Sequence, residues 1–205
     1  MKEYKLPIGC DVPETIILAD GDFPSHPLAL EWLRQCPYVV CCDGAANTYI
    51  RSGRMPEAIV GDGDSLLPDI KERYASLIHS EAEQETNDLS KAFRFCLSQE
   101  RKRITIMGAT GKREDHTIGN VSLLADYMEQ AEVSMMTDYG IFVPIREDSM
   151  FESYIGQQIS VFNMNSTALS AEGLAYPLSV FTNWWQGTLN EALARHFIIR
   201  TEGKV

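Results

Sequence analysis

Basic residues are scarce in this 205-residue chain: 18 Lys and Arg stand against 29 Asp and Glu, a formal net charge of -11. Such a balance repels nucleic acid and anionic lipid, so a polyanion would need a local basic site or a bound cation. Long apolar runs are also missing. No stretch approaches the roughly 18 to 20 residues that cross a bilayer, so no transmembrane helix is expected. Glu3, Pro7 and Gly9 interrupt any apolar signal segment behind Lys2 and Lys5. Cysteine is sparse: Cys10, Cys36, Cys41, Cys42 and Cys96 are odd in number, include an adjacent pair and lack C-x-x-C spacing. Neither a disulfide framework nor a zinc site is expected, and a reducing cytoplasm fits best, without nucleic-acid or membrane partners. Two nucleotide fingerprints are absent as well. No G-x-G-x-x-G occurs, and around Gly111-Lys112 a Walker A loop fails because Ile106 replaces its first Gly and Arg113 its Ser or Thr.

What is there reads as a folded chain, 44% hydrophobic and 23% charged. Most charged residues lie in residues 1–138, whereas just over half of the aromatics fall in residues 139–205, which suggests two differently built domains. In the first, Thr15 to Ala19, Tyr38 to Cys42, Ala58 to Val60, Ile104 to Met107 and Val133 to Met136 read as strands separated by helical patterns. This alternation predicts an α/β fold with a parallel sheet. Leu89, Ala92, Phe93, Cys96 and Leu97 share one helical face, and Ile118, Val121, Leu124, Ala125 and Met128 repeat the pattern. Residues 139–205 offer β-like runs (Tyr139 to Ile145, Gln158 to Phe162, Leu178 to Phe181, His196 to Arg200) broken by Gly, Asn and Pro, which predicts a smaller antiparallel β domain.

Acidic or glycine-rich segments follow four predicted strands: Asp20-Gly21-Asp22, Asp43-Gly44-Ala45-Ala46-Asn47, Gly61-Asp62-Gly63-Asp64-Ser65 and Gly108-Ala109-Thr110-Gly111. In a parallel sheet these ends share one edge, where open α/β folds place their ligand crevice. Converging carboxylates repel unless protonated or neutralised, and hard oxygen donors suit Mg²⁺ held together with substrate phosphates. Each motif also has a plain reading. Gly61 to Ser65 suits an acidic turn, Thr86 or Asn87 suits a helix cap with Asp88 as its dipole partner, and Asp43 to Asn47 suits tight packing. Gly108 to His116 combines backbone amides with Lys112 and Arg113 before a helix beginning near Thr117, an anion-binding arrangement, or else an exposed turn with Asp115 as cap. Trp184 and Trp185 sit in a polar segment and suit ring stacking or packing. His26, His79 and His196 lack partners at ligand spacing.

In order along the chain, DGAAN (43–47), GDGDS (61–65), TND (86–88) and GATGKREDH (108–116) resemble the thiamine pyrophosphokinase family, and GLAYPL (173–178) and GTLNE (187–191) resemble its late elements. The resemblance implies a Rossmann-like nucleotide domain, a β-sandwich domain and a homodimer with active sites near the subunit interface. It implies transfer of the pyrophosphoryl group of ATP to the hydroxyethyl group of thiamine, giving AMP and thiamine diphosphate. By that likeness Asp62, Asp64 and Asp88 are expected to hold Mg²⁺ with Asp43 beside them. Gly108, Thr110, Gly111, Lys112, Arg113 and His116 are expected to meet ATP phosphates, with Asp115 orienting the loop. Trp184, Trp185, Thr188 and Asn190 are expected to meet thiamine. Three positions depart from the pattern: Asp20 stands for the usual Asn, Lys112 for a frequent second Gly, and Leu189 for the usual Ser. Another Mg²⁺-dependent phosphoryl or nucleotidyl transferase, a hydrolase with a different acceptor, and a non-catalytic thiamine or nucleotide sensor are the alternatives.

Overall fold

The computed structural model describes residues 1–7, 11–81, 83 and 85–205. The chain divides into two units, Gly9–Val143 and a discontinuous one of Met1–Ile8 with Pro144–Val205. The division falls a few residues after the expected cut at 138, and the first residues join the later unit.

In chain order the elements are β1 (Lys2–Tyr4), β2 (Thr15–Leu18), α1 (Pro27–Gln35), β3 (Val39–Cys42), α2 (Ala45–Arg51), β4 (Ala58–Gly61) and α3 (Pro68–Arg73). There follow β5 (Ile78–Ser80), α4 (Asp88–Ser98), β6 (Arg103–Met107), α5 (Glu114–Tyr127), β7 (Glu132–Met136) and β8 (Ile141–Phe142). Last come β9 (Ser149–Glu152), β10 (Gln158–Ile159), β11 (Leu169–Glu172), β12 (Asn190–Glu191) and β13 (His196–Thr201).

The larger unit is built on a seven-stranded sheet of order β5-β4-β3-β2-β6-β7-β8, parallel throughout except for β8. Its central strands are apolar without alternation (TIIL, VVCC, AIVG) because both faces are covered. Ile17, Val40, Val60 and Ile106 pack on the side of α4 and α5 with Phe93, Leu124 and Tyr127, whose ring stacks on Phe93 at 3.9 Å. Ile16, Leu18, Cys41 and Ile59 pack on the other side with Trp32, Leu33 and Tyr49. Each such large side chain contributes about 1.5–3 kcal/mol of burial. Register aligns the strand ends: Leu18 pairs with Cys41 and Met107, and Cys42 with Val60. The segments after β2, β3, β4 and β6 therefore line one edge. The chain leaves β2 toward β3, β4 and β5, then returns to β6 on the opposite side of β2, a reversal of strand order of the kind at which open α/β sheets place a ligand crevice beyond the strand ends.

The smaller unit holds a four-stranded sheet, β1-β9-β13-β11, and the antiparallel pair β10-β12. Its pairings are antiparallel except β1 with β9. Several sequence expectations change here. Within Tyr139 to Ile145 only Ile141–Phe142 forms a strand, and it completes the larger unit's sheet by pairing with β7. Gln158 to Phe162 shrinks to Gln158–Ile159. Leu178 to Phe181 forms no strand; it follows Pro177, and only Leu178 is buried. In α5, Leu124 is buried and Val121 and Met128 pack against the core as expected, whereas Ile118 is 59% exposed, and Asn120 and Tyr127 join the buried face. That helix starts at Glu114 rather than near Thr117, with Glu114 and Asp115 placed favourably in its first turn.

Among the described residues no helix is long and apolar enough to cross a membrane. Cys36, Cys41, Cys42 and Cys96 are free, and burial pushes the Cys96 thiol up to about 12. Cys10 lies outside the described residues.

Candidate active site

The acidic part of the edge is centred on Asp43. Its backbone N–H bonds Val60 O at 2.9 Å, carrying the β3–β4 pairing one step beyond β3 before the chain turns into α2. The side chain is 3% exposed. Oδ2 accepts from the Ser65 backbone at 3.0 Å, while Oδ1 is buried without a hydrogen-bond partner. Burial pushes this carboxyl above the usual Asp range against the lowering effect of the Ser65 bond, and the nearby Asp88 and Asp62 charges add to the rise. Gly61 makes room for this crowding: a Cβ there would stand 2.8 Å from Asp43 Cβ and 3.4 Å from Asp88 Cγ.

The motifs around Asp43 hold one another. Asn47 donates from Nδ2 to Ser65 O at 2.8 Å and accepts the Leu67 N–H on Oδ1 at 3.0 Å, so the first turn of α2 clamps the loop after β4. Within that loop Asp62 Oδ1 accepts the Asp64 N–H at 3.0 Å, and Asp64 itself is exposed. Asn87 caps α4 by accepting the Ser90 N–H at 2.9 Å, which leaves Asp88 in the first turn beside the other carboxylates. The structure thus gathers Asp43, Asp62 and Asp88, with Asp64 on the solvent side.

Sequence reading missed Lys91. It is 2% exposed on the side of α4 that carries Asp88, away from the apolar stripe of Leu89, Phe93 and Cys96, and its Nζ donates to Asp88 Oδ1 at 3.1 Å. The Asp88-x-x-Lys91 spacing, i to i+3 on a helix, was the available signal. It also missed Asn120, buried in α5, which donates to Ala109 O at 2.8 Å and accepts from Asn87 Nδ2 at 3.2 Å, tying the segment after β6 to the start of α4.

The basic part of the edge lies at the crevice. Gly21 N–H bonds Gly108 O at 2.6 Å and Asp22 N–H bonds Thr110 O at 2.8 Å, lacing the segments after β2 and β6 together. Gly108 and Gly111 have φ of 65° and 77°, values that suit glycine. Lys112 reaches back to Asp20, donating to its backbone O at 2.9 Å and to Oδ1 at 3.1 Å. Arg113 bonds Asp115 twice, Nε to Oδ1 at 3.1 Å and NH2 to Oδ2 at 2.5 Å, and this hydrogen-bonded guanidinium holds the Asp115 carboxyl down at about 2. Asp115 Oδ1 also accepts the His116 N–H at 3.0 Å, and the His116 side chain is exposed at the start of α5.

Among the described residues no three His, Cys, Asp or Glu side chains form a ready metal cage. Mg²⁺ does not require one, since it is commonly held by one or two carboxylates together with substrate phosphates and water. A buried carboxylate oxygen without a partner, in a group of carboxylates, is a donor set that suits such a hard ion.

In the smaller unit Trp184–Gly187 form a 3-10 turn held by a capping box between Asn183 and Gln186. Trp184 meets Phe162 edge-on at 5.9 Å, and Trp185 is 72% exposed. Thr188 Oγ1 donates to Trp185 O at 2.7 Å. Asn190 is 3% exposed, and its amide is occupied: Oδ1 accepts the Tyr176 and Glu191 N–H groups at 3.0 and 2.9 Å, while Nδ2 donates to Tyr176 O at 2.8 Å. It joins the two late motifs. Leu189 beside it has φ 62° and is 80% exposed.

Residues 29–136 match a family model described as the thiamin pyrophosphokinase catalytic domain, and residues 140–205 match that of the thiamin pyrophosphokinase substrate-binding domain. A rice (Oryza sativa) protein named thiamine pyrophosphokinase 1 is 30% identical over 129 residues, covering 51% of this chain and 49% of its own length. Thiamine pyrophosphokinase of Bacillus subtilis is 34% identical over 86 residues, 40% of each chain. The aligned region thus spans about half the length, or less, of these curated relatives. The crystal structure of yeast thiamin pyrophosphokinase superposes with a TM-score of 0.79 at 16% identity, covering 99% of this chain and 89% of that one. The Bacillus subtilis structure gives 0.77 at 21% identity, covering 93% and 95%. The fold is shared along nearly the whole chain.

Proposed function

The chain belongs to the thiamin pyrophosphokinase family, a family of transferases, and we propose that it transfers the pyrophosphoryl group of ATP to the hydroxyethyl oxygen of thiamine. Attack on the β-phosphorus then gives thiamine diphosphate and releases AMP. The observation that carries this reading is the pairing along one sheet edge of a buried, partner-poor carboxylate group with a glycine-rich basic loop. One half suits a cation, the other a polyphosphate.

Asp62 and Asp88 would hold Mg²⁺, with Asp43 as the buried third charge and Asp64 as the exposed member of the set. The ion supplies charge neutralisation for the phosphates. Lys91 keeps Asp88 in place from within α4. Backbone amides between Gly108 and Gly111, with Thr110, Lys112 and Arg113, neutralise and orient the polyphosphate, and Asp115 sets the direction of Arg113. His116 stands at the rim of that loop. Positioning and charge stabilisation supply most of the rate in reactions of this kind.

In the smaller unit Trp184 and Trp185 offer ring faces for the cationic thiazolium and flat pyrimidine, with Thr188 as a polar neighbour. Asn190 acts there by fixing the late motifs, since its amide is committed to Tyr176 and Glu191. The unit also exposes Tyr176, Val180, Trp185, Leu189 and Leu193, which supports a homodimer as the working form. The acidic balance supports an enzyme that meets neither nucleic acid nor anionic membrane, and the free cysteines among the described residues support a cytoplasmic setting.

AMP release from Mg·ATP with and without thiamine, read beside mass detection of thiamine diphosphate, tests the reaction. Thiamine-dependent AMP with the matching product is expected. ADP or free phosphate, or AMP formed regardless of thiamine, would replace it with another transferase or a hydrolase.

A further inference from the structure

We propose that Asp20 and Lys112 form an exchangeable strap across the crevice between β2 and β6, in which Asp20 competes with the nucleotide polyphosphate for the Lys112 ammonium and so sets nucleotide affinity. The inference rests on the functional reading above and adds Asp20 to it as a positioning residue.

Three observations carry it. First, Lys112 holds φ 56°, the left-handed region that favours glycine, and this turn aims its ammonium at Asp20, where it donates to both the backbone O and Oδ1. Second, the strap is not what joins the two segments, because the Gly21–Gly108 and Asp22–Thr110 backbone bonds already lace them. Third, the pair is open to solvent, with side chains 55% and 48% exposed, and exposed pairs of this kind are weak. A polyphosphate carries more charge than one carboxylate and can take the ammonium over. Arg113 does not enter the contest on the Asp20 side, being bonded to Asp115.

A merely structural ion pair would make both single substitutions act in the same direction; a competing one makes them opposite. The test is calorimetric binding of Mg·ATP and, separately, of inorganic tripolyphosphate to the full chain and its variants. Asp20→Asn is expected to tighten both ligands about two- to fivefold, the worth of an exposed pair. Lys112→Met is expected to weaken both about tenfold by removing a charge-assisted contact. Lys112→Gly should weaken them similarly while thermal stability holds or rises, since glycine is at ease at this φ. Weakening in both Asp20→Asn and Lys112→Met, no change in either, or no binding of either ligand by the unaltered chain would overturn the strap. Binding with the opposed signs but no thiamine diphosphate formed would overturn the proposed reaction alone.

Discussion

Asp43 of the larger unit and Asn190 of the smaller one, each 3% exposed, use their polar atoms in opposite ways. In the larger unit Asp43 Oδ1 is buried without a partner, next to other carboxylates, and Lys91 is buried against Asp88. The unpartnered Asp43 oxygen is unfavourable for folding and leaves its interaction for something outside the chain, while Lys91 holds Asp88 in place beside it. In the smaller unit Asn190 has its amide engaged by the backbone of Tyr176 and Glu191, while Trp185 and Leu189 face solvent. There the polar groups stabilise and the apolar ones are left over. Chemistry is therefore expected from the first and shape recognition from the second.

The comparison breaks if substitutions do not follow it. Asp43→Asn and Asp62→Asn should each lower turnover at saturating Mg²⁺ by at least about a hundredfold without unfolding the chain. Asp43→Asn should also melt higher than the parent at neutral pH. Its folded-state pKa is raised, so Asp43 supports folding fully only below the ordinary Asp pKa of about 4, and that support is lost as pH rises through the folded value. The melting gap should accordingly close on acidification and open toward pH 7; a gap that widens in acid would contradict the burial argument. Asn190→Ala comes next, with a loss of about 2–3 kcal/mol in denaturant titration, because two backbone N–H groups and a carbonyl lose their partner. Unchanged stability there would remove the contrast. Lys91→Met should cost about 1–2 kcal/mol, less than a fully buried pair because Asp88 is partly exposed, and should lower turnover more than nucleotide affinity. Trp185→Ala sharpens the other side: stability within about 0.5 kcal/mol of the parent, with thiamine affinity down about fivefold. Failure of both Trp184→Ala and Trp185→Ala to weaken thiamine binding would reject stacking.

Legibility in the sequence follows burial. β2, β3, β4, β6 and β7 are read from sequence within a residue or so because strands covered on both faces must be apolar throughout. β1 (KEY), β5 (IHS) and β11 (LSAE) carry polar residues on short strands, and composition alone does not separate them from loops. Leu178 to Phe181 has the right composition and no ladder, and Ile118 has the right spacing on the wrong side of its helix. In the site, the strand-end motifs announce themselves by composition and order. The central place of Asp43 does not, since its burial depends on Ser65 and Gly61 arriving from the next loop. Asn190 reads as a ligand residue until its backbone partners are seen.

The pairing of β1 with β9 sets an order of events during synthesis. Lys2–Tyr4 leave the ribosome well before β9, the strand they pair with, which follows some 145 residues later, after the whole larger unit. At translation speeds of about 5–20 residues per second, that segment waits roughly 7 to 30 seconds for its partner strand. The larger unit is thus free to fold before β9 is made, and the smaller one closes only when the segments on both sides of the larger unit are available. Deleting Lys2–Tyr4 would then disturb a unit whose other strands are all encoded beyond the larger unit.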